Sequence, residues 1–336
     1  MEKTINLEKN AYEPFIDVLK GFAIISVVIN HILPYYIERP LLFCLWGEMA
    51  VPLFLIIQSF HYYKCGLDSR KKFSFSKFGR KILLPYVFAQ LMIILILILK
   101  SVDYNACILQ PLSRLGGIGP GEYYFWIYIE FIILLPICSL IFKRLNGIWL
   151  PIVMAIVAES LDLVCSYINL PLDIYKVSFI RYFFLIYIGY LWATEGIKIN
   201  SKRTVLSLVS VICMLVLYYT EIDFSPFVYG TKWQRIFHWF CYFYVAFFLP
   251  YPIKYFYERI SPFFQNLIRY CGSKSWAIFC SQIFVFSVFT PYDFDWIDNF
   301  ILRCICYASI TAVLSFIIPF MLDFLISKYK LKMRRF

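Results

Sequence analysis

Charge is scarce in this sequence. Of its 336 residues, 16% are Asp, Glu, Lys or Arg, against about 25% in an average soluble domain. Histidine is scarcer still, with three residues. There is no Cys-x-x-Cys pair and no Cys/His set at zinc-ligand spacing, so no metal site is expected. The 11 cysteines are odd in number and scattered, mostly through apolar stretches. A free thiol there behaves as a small hydrophobe, not as part of a disulfide framework. Gly/Ser linkers, low-complexity tracts and internal repeats are missing, which argues against a tethered or repetitive architecture.

Apolar residues are in excess. They make up 61% of the chain, aromatics make up 21%, and the mean hydropathy is +0.71. That content excludes disorder. The net charge of +11 does not imply nucleic-acid binding, because the basic residues sit in short runs between long apolar stretches. Such runs fit loops on one side of a bilayer.

A helix crosses a bilayer with about 17–25 apolar residues. Ten segments qualify: 15–36, 41–63, 82–100, 123–142, 148–168, 178–195, 204–221, 236–253, 276–292 and 300–326. The sixth and eighth contain polar residues, and Pro250 and Pro252 break the end of the eighth. With the N-terminus inside, the outer loops and flanks hold 8 of the 32 Lys/Arg: Arg39, Lys100, Arg114, Lys176, Arg181, Lys232, Arg235 and Arg303. The other 24 fall inside. This bias predicts an even number of spans with both termini cytoplasmic. The expected fold is therefore an all-α integral membrane protein of about ten transmembrane helices. It forms one membrane domain over 1–336, with no appended soluble domain and no cleavable signal peptide.

Ionisable groups inside spans are costly and are functional candidates. The first span carries Asp17, Lys20 and His31. Lys20 and His31 are eleven residues apart, which is about 1100°, or three turns plus roughly 20°. They share a helix face about 16.5 Å apart along the axis. Asp17 can pair with Lys20 at i, i+3. One face thus offers a cation near the cytoplasmic surface and an imidazole deep in the membrane, where it could act as a general base. An elongated anionic cofactor could lie along it. The plainer alternative is a helix-bonded His31 and a snorkelling Lys20.

The stretch from Lys64 to Lys81 holds seven basic residues. They serve either topology and anionic lipid or a phosphate site. Lys77, Arg80 and Lys81 have one-face spacing at a helix start. Glu159 and Asp162 share a face without an assigned role. Arg181 is expected at the outer interface as an anchor, and His61 and His238 are expected at the interfaces.

Taken together, these segments resemble the acyltransferase 3 family of integral-membrane O-acyltransferases. The resemblance begins at Ile16-Asp17-Val-Leu-Lys20-Gly21-Phe-Ala and ends its first motif at His31, with Lys20 where Arg is commoner. Val51-Pro52 through Gln58-Ser59-Phe60 resembles an apolar run that ends in Ser-Gly-Phe in the family. Phe75-Ser-Lys77-Phe-Gly-Arg80-Lys81 through Pro85-Tyr86 resembles its basic motif. Gly119-Pro-Gly121 through Glu130 to Pro136, Arg181 through Gly189-Tyr190, and Gly272-Ser-Lys-Ser275-Trp through Gln282 follow in order. Many relatives carry a His near position 282.

The resemblance implies transfer of an acyl group, usually acetyl, from cytoplasmic acyl-CoA to a hydroxyl on a cell-envelope or exported carbohydrate or glycolipid. The setting is the plasma (inner) membrane. It implies that His31 is essential and that Lys20, Lys77, Arg80 and Lys81 bind the CoA phosphates. Asp17, Glu130 and Gln282 are candidate supporting or acceptor-binding residues. Direct attack with His31 as base and a covalent acyl-imidazole on His31 both remain open. The expected partners are the lipid bilayer and the carbohydrate acceptor, with no nucleic acid and no metal. The alternative is a transporter or flippase of a lipid-linked sugar or polysaccharide. That class would show paired broken helices in two halves, and this symmetry is not seen. A polysaccharide polymerase should carry a large outer loop rich in Arg, whereas residues 101–122 hold one.

Overall fold

The computed structural model describes residues 12–32, 43–67, 75–100, 103, 105–115, 117–145, 147–198, 200–220, 222–224 and 227–333. Seven apolar stretches in it are long enough to cross a membrane. They run Pro14–Ile32, Phe43–Lys64, Gly79–Leu99, Tyr123–Arg144, Trp149–Tyr167, Ser201–Tyr219 and Phe300–Phe324. Each falls on an expected segment, within a few residues at most ends. Residues 33–36 and 41–42 of the first two segments lie outside the described residues.

The other three expected spans, 178–195, 236–253 and 276–292, are shorter or broken. We number the main helices α1 (Tyr12–Ile32), α2 (Ala50–Leu67), α3 (Leu84–Leu99), α4 (Tyr123–Arg144), α5 (Trp149–Tyr167), α6 (Leu185–Glu195), α7 (Ser201–Tyr219), α8 (Tyr242–Phe247), α9 (Pro250–Tyr257), α10 (Pro262–Ser273), α11 (Ser275–Val288) and α12 (Phe300–Met333). The sixth expected segment becomes a short turn, Ile180–Tyr182, followed by α6. The eighth becomes a turn at Trp239–Cys241 followed by α8 and α9, with Pro250 opening α9. The ninth is α11, 14 residues long.

These pieces can be short because they lie inside the protein, where other helices satisfy the interrupted backbone. The Tyr242 hydroxyl donates to the Arg181 carbonyl at 2.7 Å, and Trp192 Nε1 donates to the Ala246 carbonyl at 3.2 Å. Ser210 Oγ donates to the Cys241 carbonyl at 2.8 Å, and Ser207 Oγ to that of Phe243 at 3.2 Å. The residues from Phe183 to Ile188 are buried almost without a break.

The outer helices show the reverse pattern to a soluble fold. Leu84, Phe88, Leu91, Leu95 and Leu99 of α3 are exposed, as are Ile133, Ile137 and Leu140 of α4 and Val205, Leu208 and Ile212 of α7. Polar Ser59, Gln90, Gln282 and Arg181 are buried. Apolar surface outside and polar groups inside is the arrangement a lipid solvent favours.

Two packing relationships orient the centre. α1 packs most extensively on α10, α2 on α6, and α11 on α12 and α3. Trp276 Nε1 donates to the Ile82 carbonyl at 3.1 Å, while Lys100 Nζ donates to the Val288 carbonyl at 2.7 Å. Hence α3 and α11 run parallel.

Candidate functional site

The centre of the protein holds two neighbouring cavities between α1, α2, α4 and α11. The smaller, about 30 Å³, lies against Asn30, His31, Glu48, Gly121 and Tyr123. The larger, about 280 Å³, lies against Lys20, Gln58, His61, Tyr128, Ser275 and Trp276. Phe54, Tyr124 and Phe279 line both. The Tyr124 and Phe279 rings meet edge to face at 5.3 Å, and Phe54 stands 6.0 Å from Tyr124. Three rings therefore form a common wall between a chamber at Lys20 and a pocket at His31.

Sequence spacing explains why these residues converge. Lys20 and His31 share one face of α1, so one helix serves both cavities. α2 and α4 run the opposite way: Glu48 precedes α2 and Tyr123 begins α4 at the His31 level, and Gln58, His61 and Tyr128 follow at the Lys20 level. Asp17 and Lys20 form an ion pair at 2.5 Å, as expected for i, i+3. His31 is half-buried, and its ring centroid is 5.9 Å from that of Phe286 on α11.

The turn before α4 closes the pocket over His31. Gly121 has φ +86°, and a Cβ there would lie 3.5 Å from His31 Nε2 and 3.8 Å from Gln282 Nε2. Gln282 is fully buried and donates through Nε2 to the Pro120 carbonyl at 3.2 Å. The structure thus brings Gln282 to the His31 turn, where it holds backbone. A Gln amide cannot exchange protons as an imidazole could. Several buried oxygens beside the cavities have no hydrogen-bond partner among the described residues: Asn30 Oδ1, Gln58 Oε1 and Gln282 Oε1. Buried polar atoms are normally satisfied, so these are places where a ligand or water is expected to bond.

The basic set before α3 is placed differently. Gly79–Leu83 forms a wide π-helical turn, which alters the spacing expected from an α-helix. Arg80 and Lys81 are exposed, and Arg80 Nη2 donates to Ser76 Oγ at 2.9 Å. The Lys77 side chain lies outside the described residues. Neither Arg80 nor Lys81 lines the larger cavity, although the next residue, Ile82, does. Glu130 is not brought to the pocket. Its carboxyl faces the Phe179 backbone, and its Oε2 is buried without a partner among the described residues.

Other polar residues have neighbours that spacing did not assign. His61 lines the larger cavity with Lys20. His238 Nε2 is 3.1 Å from Glu159 Oε2, which also accepts from Trp239 Nε1 at 2.8 Å. Asp162 accepts from the Tyr175 hydroxyl at 2.8 Å. Arg181, expected at an interface, is buried. Asn30 and Gln58 line the cavities, and sequence reasoning left both out of the site. For Asn30 a signal existed, since a polar amide beside His31 interrupts an apolar run. Among the described residues, no group of three or more His, Cys, Asp or Glu could hold a metal.

The fold and site define a polytopic helical membrane protein with a histidine and a lysine facing neighbouring cavities. The family model described as an acyltransferase domain, of the acyltransferase 3 type, matches residues 13–319. The chain belongs to that family of membrane acyltransferases. Comparison with curated proteins and with solved structures finds no match.

Proposed function

We propose that the chain is an O-acyltransferase that moves an acetyl group from cytoplasmic acetyl-CoA to a hydroxyl of a cell-envelope or exported carbohydrate. The observation that carries this reading is the pair of neighbouring cavities that share the Phe54, Tyr124 and Phe279 rings as a common wall, with a cation in one and an imidazole at the other. Transfer between two substrates needs both held at one point, and that shared wall is where two ligands entering from opposite sides would meet.

The residues fit such a donor. Lys20 supplies positive charge at the wider chamber, where Trp276 and Tyr128 offer apolar walls for the pantetheine arm. Arg80 and Lys81 stand outside that chamber and would attract the donor phosphates as it approaches. Asp17 already pairs with Lys20, so a bound phosphate competes with that carboxylate. The His31 cavity of about 30 Å³ has room for one or two water-sized groups.

His31 acts as general base. It takes the proton of the acceptor hydroxyl as that oxygen bonds to the thioester carbonyl carbon. The carbon–sulfur bond then breaks, and His31 returns the proton to the departing thiolate. Gln282 and Gly121 keep the turn against His31, and the orphaned Asn30 Oδ1 can accept from the acceptor. In this reading ten helical segments cross the plasma membrane with both termini cytoplasmic. Lys64, Arg80, Lys81, Lys143, Arg144 and Lys274 then all sit at the Lys20 end, as the positive-inside rule requires.

The test is transfer of label from acetyl-CoA to envelope polysaccharide by membranes containing wild type, His31→Ala or Lys20→Ala. Wild type should label carbohydrate. His31→Ala should lose about 10²–10⁴-fold of the rate, and Lys20→Ala should raise the donor KM. Wild-type rates with His31→Ala would end the proposal.

A further inference from the structure

Arg181 differs from the other buried groups. It is 6% exposed, its Nε has no hydrogen-bond partner, and its guanidinium meets no carboxylate within 4.0 Å among the described residues. What surrounds it is aromatic. The guanidinium carbon lies 4.5 Å from the Tyr182 ring centroid, 4.6 Å from that of Phe237 and 5.7 Å from that of Tyr123. Ring faces stabilise a cation but leave its in-plane N–H donors unused. A purely structural buried cation is normally paired, because an unpaired one carries an uncompensated desolvation cost. Five N–H donors in a rigid fork match the two oxygens of a carboxylate or phosphate.

A second cation lies close by. Lys176 Nζ is 5.1 Å from the centroid of the same Tyr123 ring, and Lys176 is half-buried. The Tyr123 ring also lines the His31 cavity. Two cations therefore flank the aromatic wall of the pocket, one deep and one part-way to the surface. Two carboxylates are near: Glu48 lines the cavity, and Glu122 lies buried within the field of Lys176. Neither pairs with Arg181 within 4.0 Å.

We propose that Arg181 and Lys176 form a subsite for an anionic group on the acceptor, so that the carbohydrate acylated here is acidic, bearing a carboxylate or a phosphate. This rests on the His31 cavity being the transfer site. Arg181 would hold the anion bidentately, with Lys176 drawing it in, and the acceptor hydroxyl would reach past Tyr123 to His31.

The experiment uses membranes containing the full chain, labelled acetyl-CoA as donor and envelope carbohydrate from the source cells as acceptor. Labelled products are separated by anion exchange. Label should elute with acidic carbohydrate. Reduction of carboxyl groups beforehand should abolish labelling if the anion is a carboxylate, and phosphatase treatment should do so if it is a phosphate. Arg181→Gln should raise the acceptor KM about tenfold or more with the donor KM unchanged. Arg181→Lys keeps the charge and should recover part of that loss, and a thermal melt of both variants separates binding from folding. Label in neutral carbohydrate, or an unchanged acceptor KM in Arg181→Gln, overturns the subsite while leaving the acyltransferase reading intact. If wild type labels no carbohydrate at all, the acyltransferase reading fails and takes the subsite with it.

Discussion

Gly21 and Gly272 bring α1 and α10 into backbone contact. A Cβ at Gly272 would stand 2.9 Å from the Gly21 nitrogen and closer still to the Asp17 carbonyl, while a Cβ at Gly21 would run into the Ile268 carbonyl. Small residues permit such close approach between membrane helices. The crossing sits one residue from Lys20, so it fixes the depth at which that ammonium enters the larger cavity.

Gly272→Ala should therefore cost about 1–3 kcal/mol by overpacking. It should lower the melting temperature of the protein in detergent or nanodiscs. A melt equal to wild type would mean that the crossing yields without cost.

Gly121→Ala tests the turn above His31. The φ of +86° is unfavourable for an L side chain by roughly 1–2 kcal/mol, and the added methyl would stand in van der Waals contact with the imidazole. Acyl transfer should fall about tenfold or more, on the scale of 1.4 kcal/mol per decade, with the donor KM unchanged. Equal kcat in steady-state assays would show that the turn does not shape the reacting pocket.

Asp17→Asn separates charge from packing at the donor chamber. The amide keeps the shape but removes the carboxylate that competes for Lys20. The donor KM should fall or stay level, whereas Lys20→Ala should raise it by about tenfold, the worth of one charge-assisted contact. Both effects should shrink as salt is raised, because the pair is partly solvent-accessible. A higher donor KM in Asp17→Asn would mean that Asp17 positions Lys20 for the donor.

Much of the site was legible along α1. Lys20 and His31 share a face by helix geometry alone, and Asp17 pairs with Lys20 at the expected offset. The long outer helices were legible as well, since lipid exposure demands unbroken apolar runs. The three interior segments were not, because a helix wrapped by protein need not match the bilayer in length. Glu130 illustrates the same limit. Its depth within α4 could be counted, but the direction of its side chain, toward the Phe179 backbone, depends on how α4 is rotated against its neighbours.

Ser59 shows a departure from a family motif being absorbed by packing. Where the motif that this segment resembles has Gly before Phe, this chain has a buried Ser59 packed against Gly189 of α6. The preceding Gln58 donates to the Tyr128 carbonyl at 2.9 Å and lines the Lys20 chamber.

By itself the sequence determined that this is a helical membrane protein, and that one helix carries an imidazole and an ammonium on one face. Both follow from local quantities: apolar run length against bilayer thickness, and 100° per residue around a helix axis. Only the tertiary structure decided that three rings from α2, α4 and α11 separate the two cavities, and that Gln282 reaches the Gly121 turn. It also decided that Arg181 is buried against Tyr123 instead of anchoring an interface. Those relationships join residues more than two hundred positions apart in the chain, as for Phe54 and Phe279, and they depend on helix rotation and crossing depth, which no local pattern encodes.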